Sequence, residues 1–135
     1  MDEERVKKLI RELIIEIGED PTREGLTKTP ERVARAYKEI FGGYDASSNL
    51  SVQFSEDSET VVIRDIQFYS VCEHHMLPFF GKVQIVYSPN GRVFGISKLV
   101  RLVEKYSKRL QIQERMTKNI ADELFSHGVK GVAVI

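Results

Sequence analysis

Residues 61–94 read VVIRDIQFYS VCEHHMLPFF GKVQIVYSPN GRVF, and the alternation within them decides the fold. In VVIRDIQFYS, β-branched and aromatic residues alternate with polar ones, the spacing of a half-buried strand. Val61 and Ile63 share one parity while Ile66 and Phe68 share the other. One extra residue near Arg64-Asp65, a β-bulge, reconciles the two sets. In GKVQIVYS, Val83, Ile85 and Tyr87 take one face and Lys82 and Gln84 the other. The two runs form a hairpin, and Pro89-Asn90-Gly91 is a turn into a short extended segment.

Helical periodicity surrounds this hairpin. Downstream, Ser97 can cap a helix that buries Leu99, Leu102, Val103 and Tyr106. A second helix after Gln111 uses Ile112, Met116, Ile120 and Leu124 and ends near Gly128, and the strand-like GVAVI follows. Upstream, Val6, Leu9, Ile10, Leu13, Ile14 and Ile17 predict an amphipathic helix over residues 3–17. Thr29-Pro30 predicts a second helix start, with Val33, Ala36, Tyr37 and Ile40 as its buried stripe and Gly42-Gly43 as its stop. Residues 44–59 are polar and read as a loop. The order predicts an α+β layer, helices on one face of an antiparallel sheet. Residues 1–45 are expected to form an N-terminal helical region and residues 60–135 the core, together one compact unit.

Lys and Arg number 20, Asp and Glu also 20. A net charge of zero removes any global pull toward nucleic acid or an anionic membrane, and the basic residues form no continuous tract. No apolar run approaches a membrane span, and the charged N-terminus lacks the apolar core of a signal peptide, so a cytoplasmic protein is expected. The single cysteine, Cys72, excludes an internal disulfide. It is a buried small hydrophobe, a reactive thiol or a metal ligand.

The densest chemistry is Cys72-Glu73-His74-His75. A thiolate and an imidazole three positions apart suit zinc, a borderline-soft ion, although C-x-x-H alone supplies only two ligands. His75 has the spacing to ligate with Cys72, which leaves His74 to move a proton near neutral pH. A cysteine nucleophile served by a histidine is also conceivable, as is a buried cysteine beside surface histidines. Ser97, Lys98 and Arg101 cluster at a helix start, where they can hold a phosphate or simply form a cap and a solvated face. Gln113 and Glu114 stand near the first turn of the next helix, where a carboxylate is commonly just a favourable terminal charge.

GLTKTPERVARAY with its GG, VCEHHMLPFFGK and GISKLVRLVEKYSKRLQIQERMTKNIADEL together resemble the GTP cyclohydrolase I family. The resemblance implies the tunnelling fold and a toroidal homodecamer with sites between subunits. It implies conversion of GTP to 7,8-dihydroneopterin triphosphate and formate, the first step toward folate or related pterins. Cys72 and His75 resemble two of three Zn2+ ligands and His74 a catalytic acid–base residue. Glu114, with Gln113 beside it, resembles the guanine anchor. Ser97, Lys98 and Arg101 resemble triphosphate-binding positions, and Arg32 one that serves the same end from a neighbouring subunit. Family members continue into a further strand carrying H-x-C, the source of the third zinc ligand, and then a basic segment. The chain is therefore expected to be C-terminally incomplete, and the alternative to an enzyme is a truncated, non-catalytic subunit or structural fragment of the same fold.

Overall fold

The computed structural model describes residues 1–135 except 49, 52 and 57. Two units are distinct, Met1–Phe41 and Gly42–Ile135. In the first, α1 (Glu3–Glu16) is capped by Asp2, which accepts the Arg5 N–H at 3.0 Å. α2 (Thr29–Ile40) is tied to α1 by the Lys38–Glu3 ion pair at 2.6 Å. The expected stripes are only partly covered. Ile14 is buried while Leu9, Leu13 and Ile17 are exposed, and on α2 Ala34 is buried rather than Ala36. Two helices alone bury a line of contact, not a whole face. α2 opens at Thr29-Pro30 as expected, with Lys28 in the cap position and its carbonyl accepting the Arg32 N–H at 3.1 Å.

The second unit is built on the predicted hairpin, β2 (Val61–Cys72) against β3 (Pro78–Ser88). Ile63 pairs with Ile85 and Ile66 with Val83, so β2 carries one residue more than β3 between these pairs. Asp65 absorbs it at φ 61. The bulge brings Ile63 and Ile66 to one face, where without it they would lie on opposite faces. Val83 and Ile85 point inward as expected, at 1% and 0% exposure.

The sheet order is β5-β2-β3-β6, with β5 at Leu110–Gln111 and β6 at Gly131–Val134. β6 is the GVAVI strand and runs antiparallel to β3. The two-residue β5 departs from the all-antiparallel expectation: it pairs parallel with β2. A parallel neighbour needs a crossover, and α3 (Ile96–Ser107) lies in the connection that provides it. α4 (Gln113–Ser126) joins α3 over one face of the sheet. Leu99, Leu102, Val103, Met116, Ile120 and Leu124 pack there with Ile66, Val83, Ile85 and Tyr87.

The polar stretch 44–59 is more than a loop. β1 (Gln53–Ser55) pairs antiparallel with β4 (Arg92–Phe94), and Leu50 joins the core. Gly95, not Ser97, caps α3, and its carbonyl accepts the Lys98 N–H at 2.8 Å. Gly43 is buried against the end of α3 and its N–H reaches the Lys108 carbonyl at 3.0 Å. A Cβ at Gly43 would press on the carbonyl oxygens of Lys105 and Lys108, the latter 2.7 Å away. Backbone cannot step aside as a side chain can. Gly43→Ala should therefore cost about 2 kcal/mol, the usual scale of overpacking, read as a lower urea midpoint. An unchanged midpoint would mean that the α3 terminus yields freely.

Candidate functional site

The Cys-Glu-His-His motif is the connection of the β2–β3 hairpin. Cys72 closes β2, its N–H donating to the Leu77 carbonyl and its carbonyl accepting the Met76 N–H, both at 2.8 Å. Met76 turns the chain at φ 57. Cys72 pairs with Gln111 of β5, and the Glu73 N–H donates to the Gln111 carbonyl at 3.1 Å. One residue separates Gln111 from α4. The motif and the first turn of α4 therefore lie side by side.

A side-chain link joins them. Arg115 grips Glu73 in a two-pronged pair, Nη2 to Oε1 at 3.1 Å and Nη1 to Oε2. The guanidinium's hydrogen bond holds the Glu73 carboxyl below the usual carboxylate range. Sequence reading missed this pair. Its only signals were an acid in one motif and a base in the other, and no periodicity relates them.

Cys72 is half-buried and its Sγ lies 3.9 Å from His74 Nδ1. His74 Nε2 is 4.0 Å from Glu73 Oε1, and the His74 and His75 rings meet edge-on at 6.3 Å. Tetrahedral zinc would set a sulfur and a nitrogen ligand roughly 3.5 Å apart, and His74 Nδ1 stands close to such a separation from Cys72 Sγ. Both histidines are exposed. Among the described residues no three His, Cys, Asp or Glu side chains form a group able to hold a metal. Two donors fall short of the three protein ligands that a catalytic zinc takes. The described residues do not by themselves make a zinc site.

Gln113 and Glu114 are exposed on the first turn of α4, with no hydrogen bond to either side chain among the described residues. Ser97, Lys98 and Arg101 sit on the first two turns of α3. None of the three makes a hydrogen bond or ion pair with the motif among the described residues. At 1.5 Å per residue, Ser97 lies about 15 Å along the helix axis from Ser107, the end that leads into β5. Arg32, in the other unit, lines a cavity of about 530 Å³ with Glu24, Gly25, Thr27 and Lys28.

A second polar cluster also escaped the sequence reading. Glu123 on α4 accepts from Lys105 Nζ and Tyr106 Oη, both at 2.6 Å, and from Ser48 Oγ. Burial pushes the Glu123 carboxyl up, but these three donors together outweigh it and hold the group below its ordinary range. Burial, then the bond to Glu123, pushes the Tyr106 hydroxyl up to about 12. The available signal was position: Glu123 adjoins Leu124 and follows Ile120 by three, on the buried side of the helix.

The layered sheet with helices on one face is a tunnelling fold, with the sheet open in this chain. Its fold is similar to that of the archaeosine synthase QueF-Like in the apo form, with a TM-score of 0.52 and 21% identity over 58% of this chain and 79% of that one. The family model of GTP cyclohydrolase I matches residues 6–135. GTP cyclohydrolase 1 of Clostridium kluyveri is 50% identical over 139 residues, covering all of this chain and 75% of that protein. Its counterpart in Finegoldia magna is 53% identical, covering 94% of this chain and 71% of the relative. That of Hyperthermus butylicus is 52% identical, covering 92% and 64%. The chain belongs to the GTP cyclohydrolase I family, and it spans about two thirds to three quarters of the length of these relatives. No helix among the described residues is long and apolar enough to cross a membrane.

Proposed function

We propose that this chain carries the guanine-recognising part and two metal donors of a zinc-dependent GTP cyclohydrolase I subunit, and that residues 1–135 alone do not turn GTP over. The carrying observation is the donor count. Cys72 and His75 share one turn, and no third metal-holding side chain joins them among the described residues. Zinc, when bound in a completed site, supplies Lewis-acid activation.

Glu114, with Gln113 beside it, is the group that receives the guanine edge, because an exposed carboxylate accepts paired N–H donors. His74 is the proton-moving residue: it is exposed, and its ring reaches both Cys72 and Glu73. Ser97, Lys98 and Arg101 bind triphosphate. Their place on the first turns of α3, at the end away from β5, supports a site shared between copies, with Arg32 serving a neighbour and the copies closing into a toroidal decamer. The complete reaction of this site is hydrolysis and ring rearrangement of GTP to 7,8-dihydroneopterin triphosphate and formate, the entry to folate or pterin synthesis.

Purified residues 1–135 should bind zinc only weakly in a metal titration and release no formate from GTP, while sedimenting as a multiple of the chain. Tight stoichiometric zinc with formate release would overturn the reading. A well-folded monomer at high concentration would remove the shared site.

A further inference from the structure

We propose that the Glu73–Arg115 pair is a positioning clamp that couples the turn at Cys72–His75 to the first turn of α4, so that a purine held at Glu114 is felt at Cys72. The second half rests on the assignment of Glu114 above. The first half rests on geometry alone.

Glu73 sits inside the turn, directly after Cys72, and both of its anchoring groups are engaged. Its N–H is held by Gln111 at 3.1 Å and its carboxylate by both terminal nitrogens of Arg115. Two parallel bonds fix a carboxylate's distance and also its plane, which a lysine cannot do. Arg115 is the neighbour of Glu114, so whatever shifts the first turn of α4 also moves the grip on Glu73. The other bonds within the turn, Cys72 N–H to Leu77 and Met76 N–H to Cys72, close it on itself, so that beyond the backbone link to Gln111 the Arg115 grip is the side-chain tie from the turn to α4 among the described residues.

Lys38–Glu3 and Lys105–Glu123 also join separate elements, but neither reaches the Cys72–His75 turn, and several other pairs are local. Arg23–Glu19, Arg35–Glu31 and Lys118–Asp122 join neighbours four apart in sequence. Glu73 and Arg115 are 42 apart and link two separate elements. The side chains are 28% and 48% exposed, so the pair adds little to global stability. Variants at either position should therefore fold, and a loss of coordination between turn and helix would show without a loss of structure.

Cys72 is the only cysteine, so thiol alkylation reports on this turn alone. The experiment measures iodoacetamide labelling of the full 135-residue chain, metal-free, with and without guanosine. The clamp predicts that Glu73→Gln and Arg115→Gln both label about fivefold faster than the parent, the low end of coupling between sites, and that Arg115→Lys falls between. Charge alone predicts opposite signs: losing the carboxylate favours the thiolate, and losing the guanidinium disfavours it. Lys118→Met, which removes an ion pair elsewhere on α4, should label like the parent. In the parent, guanosine should slow labelling by a similar factor. In Glu73→Gln it should still bind, by equilibrium dialysis, yet leave the rate unchanged.

Opposite signs for the two variants, or no change in either, overturn the clamp whatever guanosine does. Protection that persists in Glu73→Gln means that guanosine covers Cys72 directly, and it overturns the coupling. If guanosine does not bind, or binds Glu114→Gln equally well, the guanine assignment fails and takes the coupling with it. The ligand-free rates then still judge the clamp.

Discussion

Replacing Glu123 with alanine should destabilise the second unit by about 2 kcal/mol, below the cost of breaking a fully buried ion pair because both partners are only partly buried. Glu123 and Lys105 are 13% and 21% exposed, and the ammonium would keep its charge with its acceptor gone. The Tyr106 hydroxyl and Ser48 lose the same acceptor, and Ser48 is itself buried. Because Ser48 belongs to the stretch before β1, the loss should also free that segment from α4. Glu123→Gln should cost less, since the amide oxygen can still accept from Tyr106. Urea unfolding of parent and variants measures both effects, and equal midpoints would show that water solvates Lys105 at no cost.

The pH dependence follows from the same cluster. The folded Glu123 carboxyl lies below its ordinary value of 4.5. Its contribution to stability is present above that value and is lost as pH falls through the lower folded one. The Tyr106 hydroxyl moves the other way. Raised from 10.0 to about 12, it contributes fully below pH 10 and loses that contribution as pH rises through about 12. Glu123→Gln should remove part of the acid limb of the stability profile, and Tyr106→Phe part of the alkaline limb. A profile identical in all three chains would exclude the cluster as the titrating element.

The second large effect concerns the metal. Cys72→Ala removes the only thiolate that the chain can offer, so cobalt(II) added to residues 1–135 should lose its sulfur charge-transfer absorption entirely. Affinity should fall at least tenfold, since even groups that only support a ligand are worth about that much. His75→Ala should weaken binding comparably, whereas His74→Ala should leave it within about twofold of the parent, as expected of a residue outside the ligand set. This outcome is not trivial, because His74 is the imidazole that stands 3.9 Å from the sulfur. If His74→Ala loses the metal and His75→Ala keeps it, the two roles are exchanged. In a chain extended through a family-like H-x-C strand, Cys72→Ala and His74→Ala should both abolish formate release, the first with the metal lost and the second with it retained.

Local chemistry determined a good deal of this protein. The alternation in 81–88 put Val83, Ile85 and Tyr87 on the buried face, and the parity switch at Arg64-Asp65 announced a bulge that the register then required. Such features are legible because a strand's two faces are written into consecutive residues. The Cys-Glu-His-His motif and the helix carrying Glu114 could likewise be recognised separately, each from its own few residues. What brings them together is β5, two residues pairing parallel with the end of β2. No periodicity can reveal a strand so short. Its place is decided by the crossover of α3 and the packing of both helices on the sheet. The grip of Arg115 on Glu73, 42 residues away, and the convergence of Ser48, Lys105 and Tyr106 on Glu123 depend on the same long-range placement. A charged or polar side chain looks alike in sequence whether it meets water or a partner, and only the tertiary fold decides which.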